Sequence, residues 1–219
     1  MNIKKHKKKL DYDKEYYENG LVAGKSCYLN YRWLPELTFR MVFHMIRELD
    51  IKTNDKILDF GCAKGYIVKA FRFFDIECYG CDISEYAINN IDPEVIKFCK
   101  ENNTDIMIPF NDMHFDWIIC KDVLEHLEES EIDHFLQEAS QKTKKSFIVV
   151  PLGENDKFIV PEYEKDITHK LAKNMDWWSK KFEDNSWIIE DKTYTFKRLK
   201  DNWTDKYPKS NGFFTLRKK

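Results

Sequence analysis

The chain has 219 residues, of which 42% are hydrophobic and 15% aromatic, enough apolar surface for a sizeable core and unlike a disordered chain. Its 36 basic side chains nearly balance 38 acidic ones, for a net charge of −2, so no strongly basic face for a nucleic-acid backbone is expected. The absence of any apolar run of about 18 residues argues against a membrane span, and a charged amino terminus without an apolar h-region argues against a secretory signal, which points to the cytoplasm.

The one local charge excess, Lys4-Lys5-His6-Lys7-Lys8-Lys9, reads as a solvated tail; its alternative is an arm for nucleic acid or an anionic surface. Cysteines stand at 27, 62, 78, 81, 99 and 120. Cys78 and Cys81 form a C-x-x-C, but a zinc site needs a second pair and none is present. Buried or half-buried free thiols in a reducing compartment are expected instead.

Residues 1–20 are polar, with Tyr12, Tyr16 and Tyr17 among many charges, and read as an arm with about one helical turn. Pro35 opens a helix in which Leu37, Phe39, Met41, Val42, Met45, Ile46 and Leu49 recur at helical spacing. Proline costs little there, because its missing N–H would have had no partner in the first turn. Lys56 to Phe60 is a short buried-type strand that stops at Gly61. Tyr66 to Phe74 returns to helical spacing, Ile76 to Tyr79 is strand-like, and Ser84 is placed to cap a short helix through Glu85, Ala87 and Ile88.

Val95 to Cys99 fits a strand or a helix equally, since periodicity cannot decide over so short a run. Phe115 to Cys120 is a strand, Leu124 to Leu136 continues as one or two helices, and Ser146 to Val150 is a strand ended by Pro151. This alternation predicts a doubly wound α/β fold, a mostly parallel sheet with helices on both faces. From Gly153 to Glu183 the pattern breaks into a charged and aromatic insert; Ser186 to Phe196 and Gly212 to Leu216 then read as two closing strands, an antiparallel pair. With no internal repeat and no linker, the reading is one compact domain over residues 51–219, preceded by an arm and helix over residues 1–50.

Two constellations carry chemistry. In Leu58-Asp59-Phe60-Gly61-Cys62-Ala63-Lys64-Gly65-Tyr66 the glycines permit a sharp turn after the strand and close approach of a ligand to the backbone. That turn lies at the carboxyl end of a sheet strand, where open α/β sheets bind ligands. The spacing is not the dinucleotide G-x-G-x-x-G, and the G-K-[ST] ending of a phosphate loop is missing. Asp59 would repel phosphate and suits a cationic or hydrogen-bond-donating ligand. The second constellation is Gly80-Cys81-Asp82-Ile83-Ser84, with Asp82 placed 17 residues after Gly65. An acid at the end of the second strand, about 20 residues after the glycine loop, can accept hydrogen bonds from ribose hydroxyls; its bland role is a helix cap.

With Ile108-Pro109-Phe110, Phe115-Asp116 and Asp122-Val123-Leu124-Glu125-His126-Leu127, these segments resemble, in order and spacing, the successive motifs of the class I S-adenosylmethionine-dependent methyltransferases. The resemblance covers about residues 52–152 and is nearest to the small methyltransferase-domain branch, acting on small molecules or sugars. It implies a Rossmann-like seven-stranded sheet whose last strand is antiparallel. It further implies that Asp59 and the backbone of Gly61, Cys62, Ala63 and Gly65 hold the amino acid part of S-adenosylmethionine. Asp82 would grip the ribose, Ile83 would lie on adenine, and Asp105 and Ile106, with Thr104 in contention, would meet the adenine edge. Lys121 and Asp122 would close the floor. In the amino-terminal segment, Tyr28, Tyr31 and Arg32 are candidates for contact with the cofactor or the acceptor; packing is the alternative.

Methyl transfer is an in-line displacement, and a general base is needed only for an acceptor that is protonated at neutral pH, such as a hydroxyl. His126 and His169 are the candidates. His126 is read one turn into a helix, and His169 lies in Asp166-Ile167-Thr168-His169, a D-x-T-H that related enzymes carry before a Trp-rich helix, here Met175 to Trp178. Glu125 with His126 could ligate a metal, but two ligands are too few to assign one, so no metal is expected. The expected function is O-methylation of a small molecule or sugar. A tRNA or protein methyltransferase, a non-catalytic cofactor-binding protein and, disfavoured by its glycine spacing, a nicotinamide-dinucleotide-binding protein are the alternatives. The oligomeric state is not legible.

Overall fold

The computed structural model describes residues 11–219, and among them two helices precede the sheet; the basic run at residues 4–9 lies outside the described residues. Helix α1 (Lys14–Ala23) is longer than the single turn expected, because both of its ends are closed: Asp13 accepts a hydrogen bond from Tyr16 N and Gly24 takes the left-handed conformation at the end. Helix α2 (Pro35–Glu48) starts at its proline as expected and buries Val42 and Met45.

The alternating part follows as β1 (Lys56–Phe60), α3 (Tyr66–Phe73), β2 (Glu77–Asp82), α4 (Glu85–Asn89), β3 (Cys99–Glu101), β4 (Phe115–Lys121), α5 (Glu129–Lys142) and β5 (Thr143–Pro151). The ambiguous run before β3 resolves into both states, a 3-10 turn at Ile96–Phe98 followed by the strand. The insert holds a two-stranded hairpin, β6 (Gly153–Glu154) with β7 (Lys157–Phe158), a 3-10 turn at Pro161–Lys165 and helix α6 (Met175–Asp184). Strand β8 (Trp187–Thr193), the short helix α7 (Asp201–Lys206) and β9 (Asn211–Lys218) close the chain.

The main sheet has seven strands in the order β3-β2-β1-β4-β5-β9-β8. β9 alone runs antiparallel, to β5 on one side and β8 on the other. Apolar side chains alternate between two cores. Leu58, Ile118 and Ile148 face α5 and α6 through Phe135, Leu136, Trp178 and Phe182, while Ile57, Ile119 and Phe147 face α2 and α3 through Val42, Met45, Val68 and Phe71. Burial on both faces is why the central strands read as continuous apolar runs. The chain leaves β1 toward β2 on one side and later returns to β4 on the other, so the crevice between β1 and β4 is a switch point of the winding. Among the described residues no helix is long and apolar enough to cross a membrane.

The cysteines are unpaired, as read from the sequence. Cys27 is exposed rather than buried, because the arm segment that carries it runs along the surface, where its Sγ meets the carbonyl oxygen of Glu162 at 3.1 Å.

Candidate active site

At the end of β1 the chain turns over Gly61, Ala63 and Gly65, all with left-handed φ of 82°, 47° and 77°. Only glycine fits at 61, since a Cβ there would sit 2.3 Å from Val123 Cγ2. Ala63 bears a similar backbone with a side chain, a strain of about 1–2 kcal/mol, and its N–H donates to Asp82 Oδ2 at 2.8 Å. The other oxygen of Asp82 accepts from Ser84 N at 2.8 Å, while the Ser84 hydroxyl caps α4 through Ala87 N. Asp82 is therefore held rigid and buried, with acceptor capacity left over. Burial raises its carboxyl pKa, and the N–H bonds from Ser84, Ala63 and Ile83 oppose the rise.

Asp59 stands on the neighbouring strand. Its Oδ2 is buried without a hydrogen-bond partner. Burial pushes its carboxyl up to about 7, with Lys121 pulling the other way and Asp82 adding to the rise. Asp59, Gly61, Cys62, Ala63, Asp82, Ile83, Lys121, Asp122, Tyr28 and His126, all singled out from the sequence, line one cavity over the strand ends.

Other singled-out residues do not line it. Gly65 is packed beneath the turn, where a Cβ would come 3.0 Å from Val95 Cγ2. Asp105 and Ile106 point away, because Asn103 Oδ1 accepts from both of their backbone N–H groups at 2.9 Å and turns them outward. Asn102, Asn103, Thr104 and Met107 form that wall instead. Arg32 is exposed, whereas Tyr31, singled out beside it, lines the cavity. His169 sits behind His126, ring centroids 4.6 Å apart. Trp178, in the Trp-rich helix, belongs to the core.

The amino-terminal arm roofs the cavity with Tyr12, Tyr16, Tyr17, Tyr28 and Tyr31. It is tied to the sheet at several points. Ser84 Oγ donates to Tyr12 O at 2.7 Å, and Lys64 Nζ donates to Glu18 Oε1 at 2.5 Å and to Tyr31 O at 3.0 Å. Lys64, buried in the glycine turn, thus faces the arm and not a phosphate. Tyr16 OH donates to Asp166 Oδ2 at 2.9 Å, reaching across to the insert.

The far wall is built by the turn after β4, with the insert packed behind it. His126 lies in a 3-10 turn, Leu124–His126, rather than in an α-helix, because the chain becomes α-helical only at the capping box of Glu128 and Glu131. Its Nδ1 is 2.8 Å from Thr168 Oγ1. His169 Nδ1 is 2.7 Å from the carbonyl oxygen of Tyr163. Burial pushes the His126 pKa down to about 4, with the neighbouring His169 adding to the fall, and burial lowers that of His169 too. Glu125 is 1% exposed, its Oε2 lacks a hydrogen-bond partner, and burial and then Asp122 raise its carboxyl pKa well above the usual range. For Asp122, burial works against ionisation, but the ammonium groups of Lys121 and Lys200 outweigh it and hold the carboxyl well below the usual range. Lys200, from the segment after β8, was not legible in the sequence; no spacing links it to Asp122.

Comparison with known proteins agrees with this geometry. Residues 58–150 match the family described as methyltransferase domain. A chain of the Haloferax volcanii complex between the Trm112 methyltransferase activator and a methyltransferase has a TM-score of 0.66 at 15% identity, with 84% of this chain and 91% of that one covered. An S-adenosylmethionine-dependent methyltransferase from Archaeoglobus fulgidus gives 0.62 at 15% identity, covering 84% and 97%. The magnesium protoporphyrin IX methyltransferase of Synechocystis PCC 6803, solved with S-adenosylhomocysteine bound, gives 0.60 at 14% identity, covering 84% and 83%. At such identities the structural likeness is one of fold. No curated protein matches the sequence.

Proposed function

We propose that this chain, whose residues 58–150 match the methyltransferase-domain family, is a class I S-adenosylmethionine-dependent methyltransferase, and that it methylates an oxygen of a small molecule or sugar held beneath the amino-terminal arm. The observation that carries this reading is the shape of the cavity. Its carboxylates, Asp59 and Asp82, stand at the strand ends, and five tyrosines of the arm roof it. Such an enclosure fits a small acceptor and leaves little room for a folded RNA or protein.

In this reading the unpartnered Asp59 Oδ2 takes the ammonium group of the cofactor, with the backbone of Gly61, Cys62 and Ala63 around the rest of its amino acid part. Asp82 takes the ribose hydroxyls on its remaining lone pairs, and Ile83 and Thr104 flank the adenine. Lys121 and Asp122 close the floor, with Lys200 fixing Asp122. Alignment of acceptor oxygen, methyl carbon and sulfur contributes up to about 7–11 kcal/mol of barrier lowering. The hydroxyl proton lost on transfer makes His126, with Glu125 and His169 behind it, the acceptor-activating end.

The test is a thermal shift of the purified chain with S-adenosylhomocysteine and, separately, with NAD. At a hundredfold excess over Kd the bound state gains about 2.7 kcal/mol, or roughly 5–11 °C for a chain of this size. That shift is expected with S-adenosylhomocysteine alone, and Asp82→Ala should lose most of it. Survival of the full shift in Asp82→Ala would remove Asp82 from the ribose. Labelled methyl transfer to a panel of hydroxylated small molecules and sugars, beside tRNA and protein, then tests the acceptor; labelling of tRNA or protein alone would overturn the small-acceptor reading.

A further inference from the structure

Glu125, His126 and His169 each offer one ligand atom, and the three atoms lie within 4.8 Å of one another. The bonds around them decide which nitrogen each ring presents. Thr168 Oγ1 donates its single proton to Asp166 Oδ1 at 2.6 Å, so it meets His126 Nδ1, at 2.8 Å, as an acceptor. The carbonyl oxygen 2.7 Å from His169 Nδ1 can only accept. Both imidazoles therefore carry their proton on Nδ1 and have Nε2 free as a lone-pair donor. Glu125 adds a buried carboxylate oxygen, Oε2, that no donor satisfies.

Two imidazoles and a buried carboxyl converge here, and none of the described residues donates a hydrogen bond to Glu125 Oε2, an arrangement that a cation between them would satisfy. The outer bonds have the form that orients metal-ligating histidines, one ring N–H to a carbonyl and the other to a hydroxyl that is itself held by a carboxylate. The two segments are locked in register, since Lys170 N and Leu171 N both donate to Glu125 O at 2.8 and 3.2 Å. The rings are clamped as well, His126 by Tyr12 at 5.8 Å between centroids and His169 by Phe158 at 5.0 Å.

We infer that Glu125, His126 and His169 form a binding site for one divalent transition-metal ion of the zinc type, with at least one coordination position left open. Two imidazoles and a carboxylate suit such an ion far better than magnesium, which prefers oxygen ligands. His126 also lines the cavity. Resting on the methyltransferase reading, the open position would take the acceptor hydroxyl and lower its pKa, so that its proton leaves to water. The oxygen then forms its bond to the methyl carbon as the carbon–sulfur bond breaks, and S-adenosylhomocysteine departs.

The experiment uses the full chain, untagged and stripped with chelator, titrated with Zn²⁺ by calorimetry and with Co²⁺ by visible absorption. Saturation at one equivalent is expected, with Mg²⁺ at least a hundredfold weaker. Glu125→Gln and His169→Ala should each weaken Zn²⁺ binding a hundredfold or more. Thr168→Val, which removes the hydroxyl between His126 and Asp166 but no ligand atom, should weaken it about 10–100-fold and alter the Co²⁺ spectrum. The S-adenosylhomocysteine thermal shift should persist in Glu125→Gln and His169→Ala, showing that these variants are folded. Absence of saturable Zn²⁺ binding, or binding unchanged in both variants, would overturn the site. A wild-type chain that binds Zn²⁺ but ignores S-adenosylhomocysteine would uphold the metal site and sink its role in methyl transfer.

Discussion

Replacing Asp59 by Asn separates the two opposed effects of one buried carboxylate. In the cofactor-free chain burial holds the Asp59 carboxyl at about 7, against about 3.9 in an unfolded chain. The folded state thus keeps a proton that the unfolded state has released, and stability falls as pH rises from the unfolded value through the folded one. Between pH 6 and 8 this group crosses from about nine-tenths protonated to about nine-tenths ionised, which removes about 1.4 kcal/mol of stability. For a chain of this size that is roughly 3–6 °C. Asn has no such proton to lose, so Asp59→Asn should gain this amount over the wild type at pH 8 relative to pH 6. Binding of the cofactor should show the reverse trend. An ammonium group selects the ionised carboxylate, so S-adenosylhomocysteine affinity of the wild type should rise about tenfold over the same interval and stay flat in Asp59→Asn. The assays are differential scanning calorimetry without ligand and isothermal titration with S-adenosylhomocysteine, both at pH 6 and 8. A stability difference between the two proteins that is equal at both pH values would refute the buried-carboxylate argument, and pH-independent affinity in the wild type would take Asp59 away from the ammonium.

Gly80→Ala should destabilise the chain by about 1–3 kcal/mol through overpacking, because a Cβ there would lie 2.7 Å from Cys62 Sγ and 2.9 Å from Val68 Cγ2; chemical denaturation measures it, and a neutral outcome would mean the glycine turn yields freely. Trp178→Ala removes a side chain that is 0% exposed and should cost about 3–5 kcal/mol with no change in S-adenosylhomocysteine affinity, whereas a large affinity loss would return the Trp-rich helix to the site. Lys64→Met leaves Glu18 and Tyr31 O without the lysine that joins them to the glycine turn; limited proteolysis should then cut the arm faster, and an unchanged cleavage rate would show that the tyrosine packing alone holds it.

Most of the scaffold was legible because its signals are local. Ile57, Leu58 and Phe60 form a short run buried on both faces, and Ser84 sits one residue before a helix that it caps; each is a property of a few neighbouring residues. The antiparallel closing pair was readable for the same reason, as two separate apolar runs. Of the three candidates around residue 105, Thr104 lines the cavity and Asp105 and Ile106 do not, because Asn103 folds an Asx turn through their backbone N–H groups that no spacing in the sequence records. The arm was underestimated because α1 is held by caps and by burial of Tyr16 and Tyr17, not by apolar periodicity.

The stretch from Asp59 to Gly65, by itself, already specified a tight turn at a strand end that suits a cationic ligand better than a phosphate. Asp82 added an acid at the next strand end, and both properties follow from residue type and spacing alone. What only tertiary structure decided is which distant groups share a space. Lys200 reaches Asp122, Tyr16 reaches Asp166, and His169 comes to stand against His126 with Glu125 beside it. The physical reason is that periodicity and propensity fix which way a residue faces within its own element. Convergence of lone pairs or charges from elements far apart in the chain depends on how those elements pack, and no local pattern records it.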